Sequence, residues 1–222
     1  MLALAAGVGS GAHALPPDRA IAQYVRRSWT VGQGLPHGTV RGFVQTADGY
    51  LWLATYEGLV RFNGEEFLVF EKGSTPEMLS NAIRVVTRAG NTLWVGTNDG
   101  LMRLQDGRFE TVALPGGREI IGALVNAPDG TIWVGTAGGR VIRIADGRPE
   151  EMSLGLPASP ITALAATGDT LWIGTSVGLT RHHRVTRETS HITGLSSDRV
   201  VTLVPDGSDA LARIALVSRS AT

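Results

Sequence analysis

Apolar and polar positions alternate along this chain in short runs, most of them closed by a polar pair with glycine, and one run recurs almost word for word. Leu51-Trp52-Leu53-Ala54-Thr55 returns as Leu93-Trp94-Val95-Gly96-Thr97, Ile132-Trp133-Val134-Gly135-Thr136 and Leu171-Trp172-Ile173-Gly174-Thr175, with the tryptophans 42, 39 and 39 residues apart. A fixed period of this length marks a solenoid or a propeller. In the first unit Val40 to Gln45, Leu51 to Thr55, Leu59 to Phe62 and Phe67 to Phe70 are strand-like runs, separated by Asp48-Gly49, Tyr56-Glu57-Gly58 and Asn63-Gly64. Asx-Gly pairs tolerate the positive φ of tight primed turns, so consecutive hairpins are expected. Four such strands in about 40 residues make a blade, and the expected fold is all-β, a β-propeller of four-stranded blades.

Complete units are expected at about 39–70, 81–113, 119–154 and 160–192. A fifth, over 195–222, opens with Val200-Val201-Thr202-Leu203-Val204 and the turn Pro205-Asp206-Gly207, then departs from the pattern, since Ala210 to Leu216 carries no tryptophan. Four repeats and part of a fifth predict an open, incomplete ring that exposes an apolar blade face at each end. Tyr24 to Trp29 precedes Gly34-Leu35-Pro36 as Met152 to Leu154 precedes Gly155-Leu156-Pro157, so it reads as the last strand of a blade.

The 29 glycines and 10 prolines suit a turn-dense protein, and zero net charge argues against a nucleic-acid groove. Cysteine is absent, which excludes disulfides and thiolate chemistry. Met1 to Gly11 is apolar and small, and Ala12-His13-Ala14 has the small-x-small form of a signal-peptidase site. Residues 1–14 are therefore expected to be a signal peptide, with export to the periplasm, the alternative being an unstructured Ala/Gly-rich terminus.

Trp29-Thr30, Gly34-Leu35-Pro36, Asp48-Gly49-Tyr50-Leu51-Trp52-Leu53-Ala54-Thr55 and Gly58-Leu59-Val60-Arg61-Phe62-Asn63-Gly64 closely resemble the two-component regulator propeller repeat, and the resemblance extends over about residues 20 to 209. It implies an exported sensor of seven-bladed propellers, followed by an immunoglobulin-like module, one transmembrane helix and a cytoplasmic histidine kinase or diguanylate cyclase. This chain then corresponds to a sensing region without its output domain. It is expected to be no enzyme, to use no cofactor, and to meet the membrane only through segments beyond it.

Comparing the repeats separates structural from free positions. Trp52, Trp94, Trp133 and Trp172 recur and are expected to fill the wedge between blades. Thr55, Thr97, Thr136 and Thr175 are expected to cap the strand, and Gly58, Gly100, Gly139 and Gly178 to supply positive φ. Arg61, Arg103, Arg143 and Arg181 also recur. They are read as pairing with a carboxylate or stacking on an aromatic ring of the blade, against the alternative of a basic ring around the central channel.

The turns after the tryptophan strands vary, so Tyr56, Glu57, Asn98, Asp99 and Ser176, with His37, are the candidate contacts for a small molecule or glycan; ordinary turn chemistry is the alternative. His182 and His183 are adjacent and point to opposite faces of a strand, which leaves no metal site. A propeller lyase or glycan hydrolase, and a pure interaction scaffold that self-associates through its open faces, are the rival readings. The former needs acid and base groups converging on the axis.

Overall fold

Short β-branched runs hinged by glycine turns fold back on themselves, and the computed structural model, which describes residues 27–194, 199–205 and 211–217, shows them as successive meanders. The first blade is β1 (Val40–Gln45), β2 (Leu51–Thr55), β3 (Gly58–Phe62) and β4 (Phe67–Phe70). The second is β5 (Ile83–Ala89), β6 (Thr92–Thr97), β7 (Gly100–Gln105) and β8 (Arg108–Val112). The third is β9 (Ile121–Asn126), β10 (Ile132–Thr136), β11 (Val141–Ala145) and β12 (Arg148–Met152), and the fourth β13 (Ile161–Thr167), β14 (Thr170–Thr175), β15 (Gly178–His183) and β16 (Thr189–His191). Each is antiparallel in chain order. A fifth sheet pairs β17 (Arg199–Pro205) with β18 (Leu211–Val217), so the segment without tryptophan still takes the place of a second strand. Residues 1–14, expected to be a signal peptide, and the expected Asp206-Gly207 turn lie outside the described residues.

The first strands of neighbouring blades touch one another in series, from β1 to β5, β9, β13 and β17. They form the inner edge of an arc, and the last strands of each blade lie outermost. Between blades the core is a row of wedges. Trp52, Ala54 and Leu59 of the first blade pack with Ile83, Val86, Leu93 and Met102 of the second. Trp94 and Leu101 likewise meet Ile121, Ile132 and Ile142, and Trp133 meets Ile161, Leu171 and Ile173. Each tryptophan thus faces the blade that follows it in the chain. Trp172 is half-buried and packs against a cluster that includes Val200 and Leu203 of β17.

The glycine of the recurring phrase is explained by close approach. A Cβ on Gly96 would stand 2.7 Å from both Ile121 Cγ2 and Val85 Cγ1, and one on Gly135 would stand 2.3 Å from Ile161 Cγ2. Ile83, Ile121, Ile161 and Val200 are each the inner-strand residue that drives into the preceding blade, and all are essentially unexposed. Val40 holds the same position in the first blade and is 40% exposed, and Phe43 on β1 is 70% exposed. The incoming face of the first blade is open here.

Part of that face is covered by the segment before β1. Trp29 sets its ring edge-on to Phe62 at 4.9 Å, and Phe62 stacks on Phe67 at 4.5 Å. Arg27, Ser28 and Trp29 form no strand, which corrects the expectation of a terminal β-strand for its described part; Tyr24, Val25 and Arg26 lie outside the described residues. Trp29 is placed by its edge-on contact with Phe62 rather than by a ladder, and a 3-10 turn over Val31–Gln33, capped through Thr30 and Gln33, leads from it toward β1.

Candidate functional site

The turns that close β2 onto β3, and their equivalents, are built by one threonine each. Thr55 Oγ1 donates to the Gly58 carbonyl at 2.7 Å and accepts the Glu57 N–H; Thr97 and Thr175 repeat both bonds. Gly58, Gly100, Gly139 and Gly178 all hold positive φ. In the third blade the extra residue shifts the bond, and Thr136 Oγ1 accepts from the Arg140 N–H instead. Arg140 is there bound by Glu119 and Glu151 and by the Pro115 carbonyl. Burial lowers its proton affinity, and the paired Glu119 more than restores it.

These turns lie at the end of each blade where the inner strand begins. All five inner strands carry a β-bulge there: register skips Arg41, Arg84, Gly122, Thr162 and Val201, each directly after the wedge residue Val40, Ile83, Ile121, Ile161 or Val200. A bulged residue leaves the ladder's alternation and is re-aimed. Here it sits on the inner edge of the arc. Two of the five are arginines, and Arg199 opens β17 at the same end.

The arginines gather the candidate residues of the first two turns. Arg41 binds the Tyr56 hydroxyl and lies over its ring, 5.0 Å from the centroid. Tyr56 meets the His37 ring edge-on at 5.5 Å. Arg84 Nη1 donates to Asn98 Oδ1 at 3.2 Å, while its Nε is buried with no partner among the described residues. Burial holds the Arg84 guanidinium below its ordinary range, and the charge of Arg41 depresses it further; Tyr56 opposes this, and Arg199 adds the smallest lowering effect. None of the three is in an ion pair among the described residues.

Residues 34–57, from the turn before β1 to the turn after β2, match the family model described as "Two component regulator propeller". That stretch of the first blade is similar to a two component regulator propeller repeat. The extracellular domain of a one component system from B. thetaiotaomicron is similar in fold at a TM-score of 0.68 and 24% identity, over 82% of this chain and 27% of that one. The extracellular domain of a hybrid two component system from the same organism gives 0.63 and 21%, over 76% and 25%. Virginiamycin B lyase from Staphylococcus aureus gives 0.62 and 17%, over 77% and 61%. The chain spans about a quarter of the length of the two Bacteroides domains. No curated protein sequence matches it.

Within the propeller-repeat arc the remaining candidates separate. Asp99 is engaged by Arg118 at 3.4 Å, and the Ser176 hydroxyl is taken up by Ser159 at 2.6 Å. Glu57 stays exposed beside Tyr56. The recurring Arg61, Arg103, Arg143 and Arg181 stand on third strands, two strands out from the inner edge, so they form no ring around the axis. Arg61 lies over Tyr50 at 4.5 Å and near Trp52, Arg103 binds Glu110 at 2.7 Å and Arg143 approaches Glu150 at 3.8 Å. Arg181 is exposed.

His182 is buried and bonded to Thr189, whereas His183 Nδ1 accepts the Thr186 N–H. Among the described residues no cluster of His, Asp and Glu has the form of a metal site. A cleft of about 500 Å3 between the first two blades lies at the opposite end among Asp48, Trp52, Arg61 and Asp106, and is an unfilled part of the structural wedge. The arginines of the inner edge were missed in the sequence because a bulge hides its residue from a two-residue period; their signal is that Arg, Arg, Gly, Thr and Val follow the same apolar residue.

Proposed function

We propose that this chain is the ligand-sensing propeller region of an exported, periplasmic bacterial signal-transduction protein. The observation that carries this reading is the inner-edge cluster of Tyr56, Asn98, Arg41 and Arg84, whose positions differ from blade to blade while the packing positions repeat. A residue every blade needs serves the blade; one that changes at an equivalent accessible place is free for a ligand. The matched repeat and the sensor extracellular domains that share the fold support the same direction. No helix of the described residues is long and apolar enough to cross a membrane, so anchoring and output are assigned to other segments. The ligand, a small molecule or glycan, would bias the placement of the propeller against those segments.

A lyase reading, suggested by the Staphylococcus neighbour, needs an acid and base at the axis. Asp99, which could serve, is held by Arg118. Thermal-shift screening of the purified chain against small metabolites and released cell-wall glycans tests the proposal. A compound that raises Tm in the parent chain and fails to do so in Tyr56→Ala is the expected result. Turnover of a compound by the parent chain, or absence of any stabilising compound, overturns it.

A further inference from the structure

Guanidinium groups on a folded surface usually find carboxylates, and this chain has as many acidic as basic residues to supply them. Five arginines follow that habit, Arg103, Arg118, Arg140, Arg143 and Arg184, while others such as Arg61 and Arg181 on the outer strands have no acidic partner among the described residues. At the inner edge three such arginines stand at the same end of the arc. Arg41, Arg84 and Arg199 come from three different blades, and none meets an acidic side chain among the described residues. Each of the first two is tied only to a neutral group, the Tyr56 phenol or the Asn98 amide, which orients a guanidinium without neutralising it.

Resting on the sensing role proposed above, we infer that the inner edge of the arc is an oxyanion site, where Arg84 with Arg41 and Arg199 takes the carboxylate or sulfate group of a small ligand. Three features carry it. Arg84 has committed Nη1 to Asn98, and its Nε is buried and unpartnered, which is the donor a side-on oxyanion needs. Neither arginine is required by the blade, because the third and fourth blades place Gly122 and Thr162 at the same bulge. Those replacements serve packing instead: a Cβ on Gly122 would meet the Ile161 carbonyl, and Thr162 Oγ1 donates to the Val200 carbonyl at 2.5 Å. The bulge positions are therefore basic in the first two blades and small in the third and fourth, and Arg199 of the fifth adds a charge at the same end. Like charges gathered without counter-charge disfavour one another, and a bound anion removes that cost; the lowered proton affinity of Arg84 comes first from burial, to which the charges of Arg41 and Arg199 add.

Calorimetric titration of the full chain with malonate, with inorganic sulfate and with malonamide, the neutral counterpart of malonate, tests the inference. Malonate or sulfate should bind and weaken as salt rises, malonamide should not bind, and Arg84→Gln should lower anion affinity about tenfold or more, the loss expected for a charged hydrogen bond. Arg41→Gln, at an exposed position, provides a second variant should Arg84→Gln fold poorly. Malonate binding well above sulfate assigns the site to an organic carboxylate, and the reverse to an inorganic anion; both support it. Equal binding of malonate and malonamide, no binding by either anion, or anion binding indifferent to both substitutions overturns the oxyanion site. The sensing role fails separately: a neutral ligand from the thermal-shift screen that depends on Tyr56 but not on Arg84 keeps that role and removes only this inference.

Discussion

Trp94 on β6 stands directly opposite Arg103 on β7, and Trp52 faces Arg61, Trp133 faces Arg143 and Trp172 faces Arg181 in the same register. Directly opposed residues share a face, so in every complete blade the guanidinium flanks the indole on the side that meets the next blade. The arginine's recurrence is thus a consequence of the tryptophan's. Its stem lies along the outer margin of the wedge while its head reaches a neighbouring carboxylate or ring, as Arg103 does with Glu110.

Trp94→Ala should destabilise the chain by about 3 to 5 kcal/mol, the usual range for removing a large buried aromatic. Urea unfolding measures it, and Trp94 should lose a blue-shifted emission on substitution. A near-neutral effect would show that the second and third blades do not depend on this wedge.

The glycines of the recurring phrase make a more specific test. Gly96 faces Val85 across the ladder, whereas the first blade pairs Ala54 with Gly42, so the bulk has changed strands. Gly96→Ala should cost about 1 to 3 kcal/mol by overpacking against Val85 and Ile121. Adding Val85→Ala should recover part of that loss in a double-mutant cycle. Strictly additive costs would mean that the two side chains do not compete for one space.

Stability should fall on acidification partly through His182. Burial, with His183 adding to it, holds its imidazole below the ordinary histidine range. The unfolded chain then takes up a proton below about pH 6.5 while the folded chain does not, so stability present at pH 7 is lost as pH falls through that window and levels off once the folded group titrates. Asp129 and Arg184 border the same cleft of about 280 Å3; burial raises the Asp129 carboxyl, but bonds from Thr131 and Arg184 outweigh it and hold it charged there. His182→Asn should flatten the decline in Tm between pH 7 and 5, and an unchanged slope would assign it to other groups.

The open face of the first blade predicts self-association. Sedimentation of the purified chain should show a concentration-dependent species larger than a monomer, and Phe43→Lys should reduce it, since a charge there is costly to bury against a second copy. A monomer at all concentrations would mean that Trp29 and its neighbours cover enough of the face.

Much of this architecture is legible from the Trp-x-Gly-Thr phrase. Tryptophan, threonine and glycine each answer a demand that recurs in every blade, and β1 and β2 begin and end where the alternation of apolar residues says they should. The turns were less uniform than Asx-Gly suggests: Asp106-Gly107 and Asp146-Gly147 hold positive φ at both residues, whereas at Asp48-Gly49 and Asp129-Gly130 only the glycine does. Trp29 looks like a strand residue because it is apolar, yet it lies outside any strand and meets Phe62 edge-on. Arg41 and Arg84 are unreadable as neighbours because the bulge and the ring geometry, not chain distance, bring them to one edge.

The bulge on each inner strand separates two kinds of change. Ile83, Ile121 and Ile161 pack against the alanine or glycine of the preceding blade; of the residues after them, Gly122 is confined by the Ile161 carbonyl and Thr162 is bonded to the Val200 carbonyl, whereas Arg84, like Arg41 in the first blade, meets the side chain of a turn residue. The arc therefore presents at its first two blades two positions, Arg41 and Arg84, that substitution can retune while the wedges stay intact, and at its third a position that the neighbouring backbone keeps as glycine.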